Sequence, residues 1–386
     1  MKNQFKLSLL MLITSAVVYA QKTSEFEMDE KYTIYKENFT TNDNTTLVLN
    51  LKSTTAQVLE SPDDKVYIEY TKEFRNTRKK KIEAQLKLLE VSGKKEGNKI
   101  TYSSRSRMNI GDRMYSFHEI LIGRFEGKQS LKDSLPKAIK RKSLDSILHE
   151  IKDAESLYRN KILGGLTRKP RTSKQKKRDQ IIISKMVIKI PKNIHVRATL
   201  ENSNLVFMND FYNRATMNVR NSRLRFKSLG NALNNFDFDN GYFNAEEVSG
   251  GSYSFANAKE VRIGHLSNSI LNTEFTKVEI GEIGKKVDLI DFTGEYFLYN
   301  WTEDFNTFNL NSEYSKIHIF KPKTNYGFKV FGNNIKNITK GFNADLQSNA
   351  SGEKYLVLEK KPNENELSTG QIDFDMVNGI IYSYED

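Results

Sequence analysis

The sequence predicts an all-β chain built as a stacked β-solenoid and interrupted by a basic, partly helical insertion. Three observations predict it. Short runs with period-two alternation recur from residue 31 onward, separated by turn residues. An apolar-x-apolar pair returns every 17–21 residues between 196 and about 320. Cysteine is absent, which excludes disulfide scaffolds, thiolate metal centres and cysteine nucleophiles, and leaves burial to hold the chain together.

The elements follow in chain order. Lys2 and Lys6 flank a polar start, Leu7 to Val18 is almost wholly apolar, and Ala20 precedes Gln21. This is the three-part pattern of a secretory signal peptide, expected to be cleaved after Ala20. The run is too short to span a bilayer, no Cys follows it for lipidation, and no later segment reaches spanning length. The expectation is an exported chain without a transmembrane segment, in the periplasm, on the outer surface or secreted.

Residues 21–103 read as an N-terminal β segment. Leu47 to Leu51, Ala56 to Leu59 and Val66 to Tyr70 alternate, with Ser61-Pro62-Asp63-Asp64 as a turn between the last two. Leu86 to Val91 and Ile100 to Tyr102 suit a hairpin, although 80–91 also suits a helix. Residues 104–179 break the pattern. Leu144, Ile147, Leu148, Ile151, Ala154 and Leu157 recur at helical spacing, so an amphipathic helix is expected over roughly 143–160. A basic linker follows, with Lys174, Lys176, Lys177 and Arg178 as the candidate polyanion-binding group. Residues 72–180 hold 30 Lys+Arg against 13 Asp+Glu, net +17 within a chain of net +12. Such a block suits lipid phosphates, anionic glycans or extracellular DNA, or a solvated, partly disordered insertion.

From 180 to 386 the expectation is solenoid repeats and a cap. The pairs are Leu205/Phe207, Leu224/Phe226, Phe243/Ala245, Val261/Ile263, Val278/Ile280, Tyr296/Leu298 and Ile317/Ile319. Both members of each pair should point inward and the residue between them outward. Asn202, Asn221, Asn240 and Asn257 precede four of the pairs, where left-handed geometry at a turn suits Asn. Tyr355 to Glu359 and Ile372 to Phe374 read as capping strands, and Asn378-Gly379 as a tight turn.

The strand Val187 to Val196 with its Pro191-Lys192, the ladder of repeats after it and the block Leu47 to Tyr70 together resemble the bacterial putative-adhesin β-solenoid proteins. That group includes autotransporter-adhesin-like head domains. The resemblance covers about 30–103 and 180–386. It implies a right-handed parallel β-helix and a non-catalytic binding or structural role at the cell envelope, with no catalytic residue set to carry over. The chain departs from the group in having few turn glycines and in its basic insertion.

The chemistry in the sequence is sparse. No phosphate loop, GxSxG elbow or zincin motif occurs, and His118, His149, His195, His265 and His318 are scattered. No cofactor or metal is expected. Asp237 with Asp239, Asp288 with Asp291, and Glu303 with Asp304 are candidate carboxylate pairs, read chiefly as solvated turn acids. Phe297, Tyr299 and Trp301 alternate along one strand and are the candidate aromatic binding strip. An adhesin-like module is therefore expected, with anionic envelope glycans or lipids, or a protein partner, as ligand and with no intracellular nucleic acid. Two alternatives stay open: a carbohydrate-active β-helix enzyme, and an envelope scaffold that engages a protein through the inserted helix.

Overall fold

The computed structural model describes residues 27–106, 181–338, 343–348, 354–363, 365 and 367–384. The described residues are all-β apart from one short helix. In order it runs β1 (Glu27–Thr40), β2 (Thr46–Lys52), β3 (Thr55–Glu60), β4 (Lys65–Arg78), α1 (Lys79–Leu86), β5 (Leu89–Glu96) and β6 (Lys99–Ser106). After residue 180 come β7 (Ile181–Ile190), β8 (His195–Glu201), β9 (Asn204–Phe207), β10 (Ala215–Gly230), β11 (Asn235–Ser249) and β12 (Ser252–Ser267). Then follow β13 (Ser269–Glu274), β14 (Lys277–Ile283), β15 (Val287–Phe292), β16 (Glu295–Trp301), β17 (Thr307–Glu313) and β18 (Lys316–Phe320). The last are β19 (Tyr326–Asn333), β20 (Lys336–Ile338), β21 (Asn343–Ser348), β22 (Lys354–Lys360), β23 (Gly370–Val377) and β24 (Ile380–Tyr384).

These strands pair in two parallel ladders. Ladder A runs β6-β2-β8-β10-β11-β12-β13-β15-β17-β23-β19. Ladder B runs β7-β3-β9-β10-β11-β12-β14-β16-β18-β24-β20. The long strands β10, β11 and β12 serve both ladders. Each bends in its middle, at Asn221, Asn240 and Asn257, where φ is 48°, 56° and 52°. Asn tolerates that left-handed backbone because its short polar side chain bonds locally. Here it also bonds along the stack, Asn240 Nδ2 donating to Asn221 Oδ1 at 2.7 Å. Small residues follow the corners and tie successive rungs together. Ser203 Oγ donates to the Leu51 carbonyl at 2.9 Å, and the Ser203 amide donates to Ser222 Oγ at 2.9 Å. Gly241 fills this place in β11, at φ 138° with a would-be Cβ only 1.9 Å from the Ser222 carbonyl, so no side chain fits.

The core lies between the ladders. All seven apolar pairs are buried and stand side by side in ladder B, Leu205 beside Leu224, Phe243, Val261, Val278, Tyr296 and Ile317. Ladder A answers with Val196, Met217, Phe236, Phe238, Tyr253, Phe255, Leu289 and Leu310. Rings meet across the gap: Phe226 packs on Phe236 at 5.8 Å, and Phe243 on Phe255 at 5.1 Å. Each fully buried Leu, Ile or Phe contributes roughly 1.5–3 kcal/mol, so the stack holds without staples. A smaller cluster of Phe74, Ile82 and Ile182 sits under α1.

The two readings of the stretch up to residue 102 each hold in part: the helix stops at Leu86 rather than reaching 91, and an antiparallel β5–β6 hairpin with its turn at 97–98 follows. Near the C-terminus the structure differs from expectation. β22 does cover an edge, antiparallel on β19. β23 instead lies inside ladder A between β17 and β19, and β24 inside ladder B between β18 and β20. Asn378-Gly379 is thus no hairpin turn, but a corner between ladders with Asn378 at φ 54°. The N-terminal end mirrors this, with β2 inside ladder A between β6 and β8. The basic insertion separates β6 from β7, the two halves of the outermost rung. The expected helix over 143–160 and the expected signal peptide lie outside the described residues.

Candidate binding face

Parallel, in-register pairing sets equivalent residues of successive rungs about 4.8 Å apart. A column of outward side chains therefore behaves as a unit. In ladder B one such column reads Arg225, Asn244, Arg262, Glu279, Phe297, His318 and Tyr382. Its first half is charged and internally paired. Arg262 Nε lies 2.9 Å from Glu279 and also contacts Glu260, and Lys277 Nζ is 2.8 Å from Glu279. Burial alone would raise the Glu279 carboxyl, but Arg262 and Lys277 outweigh it and hold the group below its ordinary value.

The second half is aromatic. Phe297 stacks on His318 at 4.3 Å with planes 5° apart, and His318 on Tyr382 at 4.6 Å and 7°. In a parallel column Tyr299 packs tilted on Phe320 at 5.4 Å, and Phe320 stacks on Tyr384 at 4.7 Å. Lys277 Nζ sits 4.7 Å over the Phe297 ring and joins the charged half to the aromatic half by a cation–π contact. Nδ1 of His318 bonds the Tyr384 hydroxyl at 2.9 Å, while its Nε2 lies 3.4 Å from the Glu295 carboxylate. Burial foremost lowers the His318 pKa, with Lys277 and Lys316 acting the same way and Glu295 opposing. At neutral pH the imidazole is thus an uncharged member of the stack. Because the rings cover one another, they turn edges and polar atoms outward rather than open faces.

The candidate strip is only partly assembled as expected. Phe297 and Tyr299 face outward and half-buried. Trp301 turns to the core, packing on Phe305 at 5.1 Å and Phe308 at 5.2 Å, with Nε1 donating to the Phe320 carbonyl at 2.8 Å. The strip runs across rungs rather than along a strand, and it recruits His318, Phe320, Tyr382 and Tyr384. The repeat points to Phe297 and His318 as column neighbours; Tyr382 and Tyr384 carry no such signal, because their rung is inserted from the C-terminus. Lys174, Lys176, Lys177 and Arg178 lie outside the described residues.

The carboxylate pairs do not converge. Asp237 and Asp239 are exposed on ladder A. Asp304 is 3.4 Å from Lys285. Asp288 faces outward, hydrogen-bonded by Asn309 at 2.7 Å. Asp291 is not a solvated turn acid but is 4% exposed, at the inward position that follows Val287 and Leu289 in the alternation. Ser315 Oγ and Thr273 Oγ1 each donate to it at 2.5 Å, and the Gly294 amide at 2.8 Å. Burial raises its pKa against those donors. Among the described residues no helix is long and apolar enough to cross a membrane.

No family model matches the chain, and no curated protein matches it in sequence. Among solved structures, a putative cell adhesion protein of Clostridium sporogenes aligns over 93% of this chain and 100% of its own, at 8% identity and a TM-score of 0.18. So loose a likeness leaves the face to be read from its own geometry.

Proposed function

We propose that the chain is an exported, non-catalytic binding module of the bacterial cell envelope, adhesin-like in role, with a right-handed parallel β-helix as its frame. The observation that carries the reading is the unbroken outward column of ladder B, charged at one end and ring-stacked at the other. The core does not require those side chains, yet they align over successive rungs. Long regular faces of this kind suit repetitive partners rather than a single small substrate. The Lys2 to Ala20 pattern supports export. The basic block around Lys174 to Arg178 supports attraction to anionic envelope glycans or lipids.

The test is a binding assay of the full chain against envelope fractions at low and high salt, with cell fractionation alongside. A Phe297→Ala/Tyr382→Ala variant and a variant with Gln at Lys174, Lys176, Lys177 and Arg178 separate the two elements. Loss in the first variant assigns recognition to the stacked column. Loss in the second, with steep salt sensitivity, assigns it to the basic block. Retention of the chain in the cytoplasm, or no envelope binding at all, overturns the proposal.

A further inference from the structure

The corner column changes character part way along the stack. At Asn202, Asn221, Asn240 and Asn257 the corner residue is the one that tolerates positive φ at least cost. The next three corners are Phe275, Thr293 and Tyr314, at φ 47°, 58° and 57°. Bulky and β-branched side chains are disfavoured in that backbone. Burial does not compensate, since Phe275 is 52% and Tyr314 53% exposed. Phe292 lies between them, edge-on to both, with ring centroids at 5.6 and 6.1 Å. Ile290, on the same outward side of β15, extends the patch. These apolar groups are exposed rather than in the core, and their continuity over three rungs is the pattern of an interaction surface.

The charge beside the patch selects the occupant. Glu274 adjoins Phe275, Glu313 adjoins Tyr314, and Asp375 lies one rung on, all three exposed on the outward side of ladder A. None of them has an ion-pair partner among the described residues, whereas Glu279 of ladder B is paired with Arg262 and Lys277. On β11, β12, β13, β15, β17 and β23 no Lys or Arg occupies an outward position of ladder A; the first is Lys329 on β19, in register with Asp373. We propose that this corner and the acidic side beside it dock a cationic, apolar-rich polypeptide segment. Its Lys or Arg side chains would lie over the rings of Phe275, Phe292 and Tyr314 and against the neighbouring carboxylates.

Fluorescence anisotropy of the full chain with a labelled synthetic peptide alternating Lys and Leu tests this, beside a counterpart with Glu for Lys. The cationic peptide should bind, the anionic one should not, and added salt should weaken binding. Phe275→Asn with Tyr314→Asn should lower affinity about tenfold or more. The thermal midpoint should stay or rise, because Asn restores the favoured corner residue. Glu274→Gln with Glu313→Gln and Asp375→Asn should weaken binding on a similar scale with the midpoint unmoved. Equal binding of the two peptides overturns the proposal, as does unchanged affinity in both variants. A lowered midpoint in the Asn variant also overturns it, since the aromatics would then be holding the fold.

Discussion

Asp291 offers a sharp test of how this core is held. Its carboxylate is buried without a cation and is satisfied by two hydroxyls and one amide. Asp291→Ala leaves the Gly294 amide without its acceptor, a loss of about 1–3 kcal/mol for a buried donor. The hydroxyls suffer less, because Ser315 Oγ also reaches the Glu313 carbonyl at 3.1 Å and Thr273 Oγ1 also meets the Tyr296 hydroxyl. Asp291→Asn keeps one acceptor for Gly294 and turns its amide toward hydroxyls that can accept, so it should cost no more than about 1 kcal/mol. The pH dependence then separates the two variants from wild type. Burial holds the folded-state pKa above 3.8, so between 3.8 and that raised value the folded state binds more protons than the unfolded. Stability from this group is therefore full below 3.8 and is lost as pH rises through the folded pKa. A tenfold difference in proton affinity between the folded and unfolded states is worth about 1.4 kcal/mol. Urea unfolding across that window should show wild type losing stability relative to Asp291→Asn as pH rises. Parallel curves would refute the reasoning, as would a neutral-pH loss in Asp291→Asn as large as that of Asp291→Ala.

Further expectations concern other parts of the stack. Asn221→Ala should cost about 1 kcal/mol in denaturant unfolding, because a Cβ-bearing residue without a local polar partner is forced into positive φ. Phe243→Ala should cost about 3–5 kcal/mol, since the ring packs on Phe226, Phe238, Tyr253 and Phe255 and leaves a cavity among them. For His318, a depressed folded pKa means that its contribution is present above 6.5 and is lost as pH falls through the folded value. His318→Phe keeps the stack, so its melting temperature should vary less than wild type between pH 7 and pH 5.

Much of this is legible in the sequence, and the exceptions have physical causes. Period two exposes the inward pairs because both members of each are apolar and the residue between them is mostly polar. The αL corners are legible at Asn202, Asn221, Asn240 and Asn257, where the residue type itself encodes the backbone. They are not legible at Phe275 and Tyr314, where it does not. Asp291 escapes a sequence reading because a carboxylate at an inward position contradicts the alternation, and only its donors on β13 and near β18 reconcile it. Trp301 escapes it because period two fails at the end of β16, where the chain turns back over Phe305.

The order of rungs in space is out of reach for a different reason. Periodicity reports spacing along the chain and says nothing about which rung sits beside which. In a simple stack the first and last rungs have one bare edge each and fray first. Here the rung of β2 and β3, near the N-terminus, is held between neighbours on both edges, as is the rung of β23 and β24 near the C-terminus. The outermost rungs are interior in sequence, and antiparallel strands cover part of their edges: β5 on β6, β4 on β7, and β22 on β19. Freeing either of these rungs therefore breaks two parallel interfaces rather than one. This arrangement, through its antiparallel strands, covers part of the edges that could otherwise recruit a strand from another chain. It does for a cysteine-free stack what staples do elsewhere, and it leaves the outward columns free to carry function.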